Sequence, residues 1–211
     1  MRLRLTFSKD GPLTYTSHLD LLRVWERSLR RAGVPLAYSQ GFNPRPRLQP
    51  AAALPLGHTG GAEWLDVWLE RPFPVGRFAR AVKPVLPAGL TLAQVETVPP
   101  KGPALQTLVV AAEYRVEVAG PLDAAHVPDD IERLLAAAEL PRERRGKRYD
   151  LRPLIEALWL EDEGPERLVL GMRLAARAGA TGRPEAVVDS LGLSGHFVRY
   201  HRRRLILSGG G

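Results

Sequence analysis

Tyr15 and His18 stand three residues apart, just ahead of a run in which Arg23, Arg27, Arg30 and Arg31 recur at i, i+4, i+7 and i+8. An imidazole titrating near neutrality can accept and donate protons. Beside a phosphodiester and a row of arginines, His18 with Tyr15 would serve as general acid or base in metal-free RNA cleavage. The plainer alternative is a histidine packed at a helix terminus. The four arginines fall on one helical face, and guanidinium groups suit a phosphate backbone because they stay charged and offer several donors. Their plainer reading is a solvated face supported by the Glu26–Arg30 pair.

The next segment, Gln40-Gly41-Phe42-Asn43-Pro44-Arg45-Pro46-Arg47, joins an aromatic ring and an amide to two arginines held between prolines. Phe42, Asn43, Arg45 and Arg47 have the composition that stacks and clamps single-stranded bases. Pro44 and Pro46 pre-set the backbone and reduce the entropy lost on binding. The alternative is a structural connection in which Phe42 plugs the core. A second basic cluster spans Arg142–Arg148, where Arg144, Arg145, Lys147 and Arg148 at a hairpin tip or loop would contact phosphates. A third, Arg199–Arg204, reads most simply as an edge strand protected by charge.

Other chemistry is poorly supplied. The chain has no cysteine, which excludes disulfides, thiolate metal sites, iron–sulfur clusters and a cysteine nucleophile. Its five histidines, at 18, 58, 126, 196 and 201, show neither HxH nor HExxH spacing. His58, Glu63 and Asp66 could converge, but such a trio arises readily by chance. There is no phosphate-binding GxxxxGK[ST] loop, and Leu191–Gly195 has the wrong spacing for a hydrolase elbow. No metal and no cofactor is expected.

These groups need elements to hold them. Residues 2–7 alternate as a strand. Ser17 caps a helix with Asp20 as its capping partner, and Gly33 ends it. Strands are predicted over 34–39, 51–56, 64–70 and 90–97, with a helix over 74–86. Pro99–Pro103 reads as a linker. A strand over 107–118, a helix over 127–140, mixed structure over 147–161, a strand over 167–177, a short helix over 183–191 and a strand over 197–207 follow. The order predicts an α+β protein of two tandem ferredoxin-like βαββαβ units with antiparallel sheets, spanning 1–98 and 107–211 and joined by 99–106.

The 211 residues, 45% of them hydrophobic, are enough for a packed core. The formal net charge of +7 favours an anionic partner. It lies in the first half: residues 1–105 carry 14 Lys and Arg against 7 Asp and Glu, and residues 106–211 carry 16 of each. Lysine occurs only at 9, 83, 101 and 147, so the arginine excess also matches GC-rich coding. The N-terminus has no apolar signal core and no apolar run approaches ~18 residues, so a soluble cytoplasmic protein without a membrane partner is expected.

Ser17-His18-Leu19-Asp20, Leu29-Arg30-Arg31-Ala32-Gly33, Ser39-Gln40-Gly41-Phe42-Asn43-Pro44, Leu54-Pro55-Leu56-Gly57 and Asp150–Ile155 resemble the radical SAM-linked protein family, a bacterial domain of unknown function. That domain occurs alone or attached to a B12-binding radical SAM protein. The resemblance spans essentially the whole chain, departs from the usual pattern in lacking an acidic residue near Gln40, and implies a radical SAM enzyme as partner. The predicted architecture is also similar to the CRISPR repeat-processing endoribonucleases, which often place a catalytic histidine in the first domain. Three readings follow. The first, favoured here, is an RNA-binding accessory module without enzymatic activity that presents RNA to a radical SAM enzyme. The second is a metal-independent endoribonuclease using His18, and the third an adaptor that docks a radical SAM partner without nucleic acid.

Overall fold

A computed structural model describes residues 1–121, 126–164 and 166–208. The chain is α+β, and every strand pair with a described register is antiparallel. It divides into two compact units, Met1–Val109 and Val110–Gly211.

The first unit runs β1 (Arg2–Lys9), α1 (His18–Arg31), β2 (Leu48–Pro50), β3 (His58–Trp68), α2 (Val75–Val82) and β4 (Leu90–Val98), followed by a single turn, α3 (Leu105–Leu108). The strands lie in the order β4-β1-β3-β2. Alternation along β1 buries Leu3, Leu5 and Phe7 with Leu65 and Val67 of β3, and the apolar stripes of α1 and α2 close over them through Leu21, Trp25, Leu29, Phe78 and Val82. Phe7 meets Trp25 edge-on, with ring centroids 5.1 Å apart. Ser17 begins α1 as predicted: its Oγ accepts from the Asp20 amide at 3.1 Å and donates to the Asp20 carboxylate at 2.7 Å. That cap, with the Arg23 guanidinium as the second cause, holds the Asp20 carboxyl below its usual range.

The second unit runs β5 (Val109–Ala119), α4 (Val127–Ala136), a hairpin of β6 (Pro141–Arg144) and β7 (Lys147–Asp150), β8 (Ile155–Gly164), β9 (Arg167–Arg177), β10 (Ala180–Thr181), α5 (Pro184–Ser190) and β11 (Phe197–Leu207). β9 pairs with β5, with β8 and with the short β10, and β11 follows β5 in strand order. Its Leu168, Val169, Leu170, Met172 and Leu174 are all fully buried, as a central strand covered on both faces requires.

The elements depart from expectation mainly where proline and glycine stand. The strands predicted over 34–39 and 51–56 are absent. Single bridges pair Leu36 with Leu69 and Tyr38 with Pro46, and a three-residue β2 takes the edge instead. Prolines at 44, 46, 50 and 55 remove the donors that longer ladders need. β3 begins at His58, well before the predicted 64, and carries Gly60 and Gly61 inside it. A Cβ at Gly60 would meet the Glu63 side chain at 2.7 Å, so glycine here makes room for a buried carboxylate. Pro84 stops α2 at Val82, and a 3-10 turn over Lys83–Val85 completes the predicted 74–86 helix. The predicted linker is partly structured, since α3 occupies Leu105–Leu108 within the first unit.

Candidate nucleic-acid interface

The face of the first sheet turned away from α1 and α2 is built from the other half of the alternation. Trp64, Asp66 and Trp68 follow one another on β3, with Arg2 and Arg4 beside them on β1. Asp66 is fully buried and takes both arginines: Arg2 donates from Nε at 3.0 Å and also from a terminal nitrogen, and Arg4 donates at 2.9 and 3.1 Å. A carboxylate removed from water needs such partners. The guanidinium carbon of Arg2 lies 4.8 Å from the Trp68 ring centroid, and that of Arg4 lies 5.4 Å from Trp64. Arg2 also donates to the carbonyls of Gly102 and Pro103, at 3.2 and 3.0 Å, and so ties the segment after β4 to this face.

Where β2 ends the sheet, a groove of about 480 Å³ opens. His18 and Leu22 of α1, Arg47 through Pro50, Trp68 and Gln106 line it. Arg47 stands over Trp68 with its guanidinium carbon 4.9 Å from the ring centroid. His18 is therefore at the groove, whereas Tyr15, its proposed partner, is not among the lining residues and is largely exposed on the 3-10 turn before α1.

The loop before β2 is closed at its base. Arg45 donates its amide to Ser39 Oγ at 3.0 Å, Ser39 donates its amide to the Arg45 carbonyl at 2.8 Å, and Tyr38 bridges to Pro46. Phe42, Asn43 and Arg45 are exposed at or near the tip, and the Phe42 ring touches no core at all. The alternative of Phe42 plugging the core is excluded. Arg30 joins the helix to the loop base, donating to the Tyr38 hydroxyl at 3.2 Å. That bond, with the Glu26 carboxylate 2.8 Å from Arg30 as a further cause, holds its guanidinium above the usual range.

The four arginines of α1 are all exposed but not equivalent. Arg23 is paired with Asp20 at 2.8 Å and Arg30 with Glu26, while Arg27 and Arg31 flank a second groove of about 480 Å³ against Pro84–Pro87.

In the second unit, Arg144, Arg145, Lys147 and Arg148 lie on the β6–β7 hairpin, all exposed. Arg144 pairs with Lys147 across a two-residue turn, Arg145-Gly146, with φ of +50° and +75°. Desolvation first, and then the like charges of Arg183 and Arg145, push the Arg144 guanidinium below its ordinary value. The 199–204 run is different. Arg203 makes a two-pronged pair with Glu161 of β8 at 2.7 Å, Arg204 one with Glu113 of β5 at 2.7 and 3.1 Å, and Arg199 approaches Glu117 at 3.6 Å. These arginines tie strands together, and the Arg204 bond lowers the Glu113 pKa.

Sequence reasoning missed Arg2, Trp68, Gln49 and Gln106. Only the period-2 pattern of β3, with its two tryptophans four residues apart, signalled that one face would be aromatic. Among the described residues, no group of three or more His, Asp or Glu is placed to hold a metal ion. No helix there is long and apolar enough to cross a membrane.

A family profile described as "Uncharacterized protein conserved in bacteria (DUF2344)" matches residues 2–184. The chain belongs to the DUF2344 family. No curated protein matches it. In fold, this DUF2344 chain is similar to a chain of a Cbf5-Nop10-Gar1 complex, with a TM-score of 0.53 and 11% identity over 96% of its length. It is also similar to a chain of the archaeal box H/ACA sRNP Nop10-Cbf5 complex, with a TM-score of 0.51 and 11% identity over 97% of its length. The DUF2344 chain spans about half of each of those chains, 48% in both cases. At that identity the likeness is one of fold.

Proposed function

We propose that the protein is an RNA-binding module built on two tandem ferredoxin-like units, and that it presents RNA to a radical SAM enzyme. The strand order β4-β1-β3-β2 in the first unit supports the architecture. The observation that carries the RNA reading is the loop tip. Phe42 is fully exposed on a loop whose base is closed by two hydrogen bonds and a bridge, with Arg45 and Arg47 beside it. A large aromatic ring held in water on a closed loop gains nothing for folding, yet suits stacking by an unpaired base. The hairpin supports it too: Arg145 adopts a left-handed backbone that glycine or asparagine would adopt more easily, so charge at that tip is kept at a conformational cost. Likeness in fold to a chain of an H/ACA ribonucleoprotein agrees with an RNA partner. The radical SAM partner rests on the sequence resemblance.

The test is binding to a mixed RNA pool at ~50 and ~200 mM salt. Each phosphate contact adds about 0.7 to 0.9 to the slope of log affinity against log salt, so four to six contacts give a loss of roughly 50- to 2,000-fold. The double variant Arg45→Ala/Arg47→Ala reduces the slope by about 1 to 2. Affinity that is absent, or indifferent to salt, refutes the reading.

A further inference from the structure

We infer that the groove at the β2 edge is a subsite for one unpaired RNA base, read along its hydrogen-bonding edge. This rests on the RNA reading above and adds to it: the arginine face and the hairpin hold phosphates and Phe42 stacks on a base without reading it, whereas this groove reads a base.

The argument is from size, wall chemistry and charge. The groove is open to solvent, and its volume of about 480 Å³ has room for one nucleotide. Four segments remote in sequence build it: the start of α1, the strand β2, the end of β3 and the turn α3. Leu22, Leu48 and Pro50 make the apolar part of the lining, and the Arg47 guanidinium, backed by the Trp68 ring, offers a flat plane on which a base can stack. A site for phosphate alone would be lined by cations, but here Arg47 is the sole lysine or arginine among the lining residues, and it stands over Trp68. No carboxylate lines the groove, so nothing opposes a polyanion.

The polar groups that remain are primary amides. Gln49 donates from Nε2 to Oε1 of Gln106 at 3.5 Å, a long bond between two solvent-facing side chains. Each primary amide keeps both a donor and an acceptor beyond that contact. An adjacent donor and acceptor match the edge of a base, whereas phosphate oxygens offer acceptors only, and the ribose 2′-hydroxyl common to every strand cannot rank one base against another. Arg47 is placed to hold the flanking phosphate, since guanidinium can stack on an indole and still donate in its own plane. Buried Arg2, 4.8 Å from the same ring centroid, fixes the tryptophan from within.

The experiment compares ten-residue oligomers of rA, rC, rG and rU with an abasic ribose-phosphate decamer at one salt concentration. The wild-type protein is expected to bind at least one homopolymer about 5- to 100-fold tighter than the abasic strand, the range of one stacked and hydrogen-bonded base. It is also expected to rank the four bases unequally. Gln49→Ala/Gln106→Ala removes two surface side chains and leaves the core intact. It is expected to bring the four homopolymers to within about twofold of one another while binding of the abasic strand is unchanged. Trp68→Leu lowers homopolymer binding and leaves abasic binding unchanged, the stacking on Phe42 being retained. An unaltered ranking in the amide variant overturns the subsite and leaves both Phe42 stacking and phosphate-mediated RNA binding standing, whereas equal binding of abasic and base-bearing strands by the wild type overturns the subsite and the Phe42 stacking together. Absence of binding to every strand, abasic included, removes the RNA reading and the subsite together.

Discussion

Arg2 Nε donates to Asp66 Oδ2 over 3.0 Å, joining the first residue of one strand to a fully buried carboxylate 64 positions away. Arg4 takes the other oxygen at 2.9 Å, so one carboxylate neutralises two neighbouring guanidinium groups, Arg2 against the Trp68 ring and Arg4 against Trp64.

Asp66→Ala would leave two arginines crowded without a counter-charge, one of them almost wholly buried. Breaking a buried pair in this way costs about 3–5 kcal/mol. The expected outcome is a large fall in denaturation midpoint, with the first unit's tryptophans becoming more exposed by fluorescence. A loss below ~1 kcal/mol would show that the charge cluster contributes nothing to the fold.

Arg145→Asn puts a residue suited to positive φ at the first turn position of the β6–β7 hairpin, ahead of Gly146. The variant is expected to gain roughly 0.5–1 kcal/mol of stability and to bind RNA with a shallower salt dependence, since one cation is gone. Calorimetry and a salt titration of affinity read the two effects. Unchanged affinity with raised stability would remove the hairpin from the interface.

Tyr200 is half-buried in the second unit, and desolvation, with Glu185 as the second cause, pushes its phenol from 10.0 up to about 12. The folded protein thus holds this proton longer than the unfolded chain does. Stability from the neutral phenol is complete below pH ~10 and is lost as pH rises from ~10 to ~12. Absorbance at the tyrosinate band should show one residue titrating near 12 that disappears in Tyr200→Phe, and the wild type should lose more stability over that interval than the variant. Identical alkaline titrations in the two proteins would contradict the burial argument.

The residues that alternate or recur at helical spacing were legible without coordinates. Ser17 with Asp20 marks the start of α1, and the ranges 167–177 and 197–207 match β9 and β11 because their ends carry charged or turn residues. The arginine clusters were legible as charge, but not as function. Arg203 and Arg204 look like Arg144 and Arg145 in one dimension, yet the first pair meets Glu161 and Glu113 from strands about 40 and 90 positions earlier, while the second stands exposed at a hairpin tip, Arg144 closing β6 and Arg145 on the turn.

Local chemistry alone determined much of this protein: an α+β chain with a basic first half, a capped first helix, a loop broken by Gly41, Pro44 and Pro46, and no cysteine chemistry. Tertiary structure decided which charges are spent and which are free, because pairing depends on distances that sequence separation does not encode. It also made the groove. Trp68, Gln49 and Gln106 carry no motif, and only the register of β2 against β3 and the return of α3 put an indole, a guanidinium and two amides around one space.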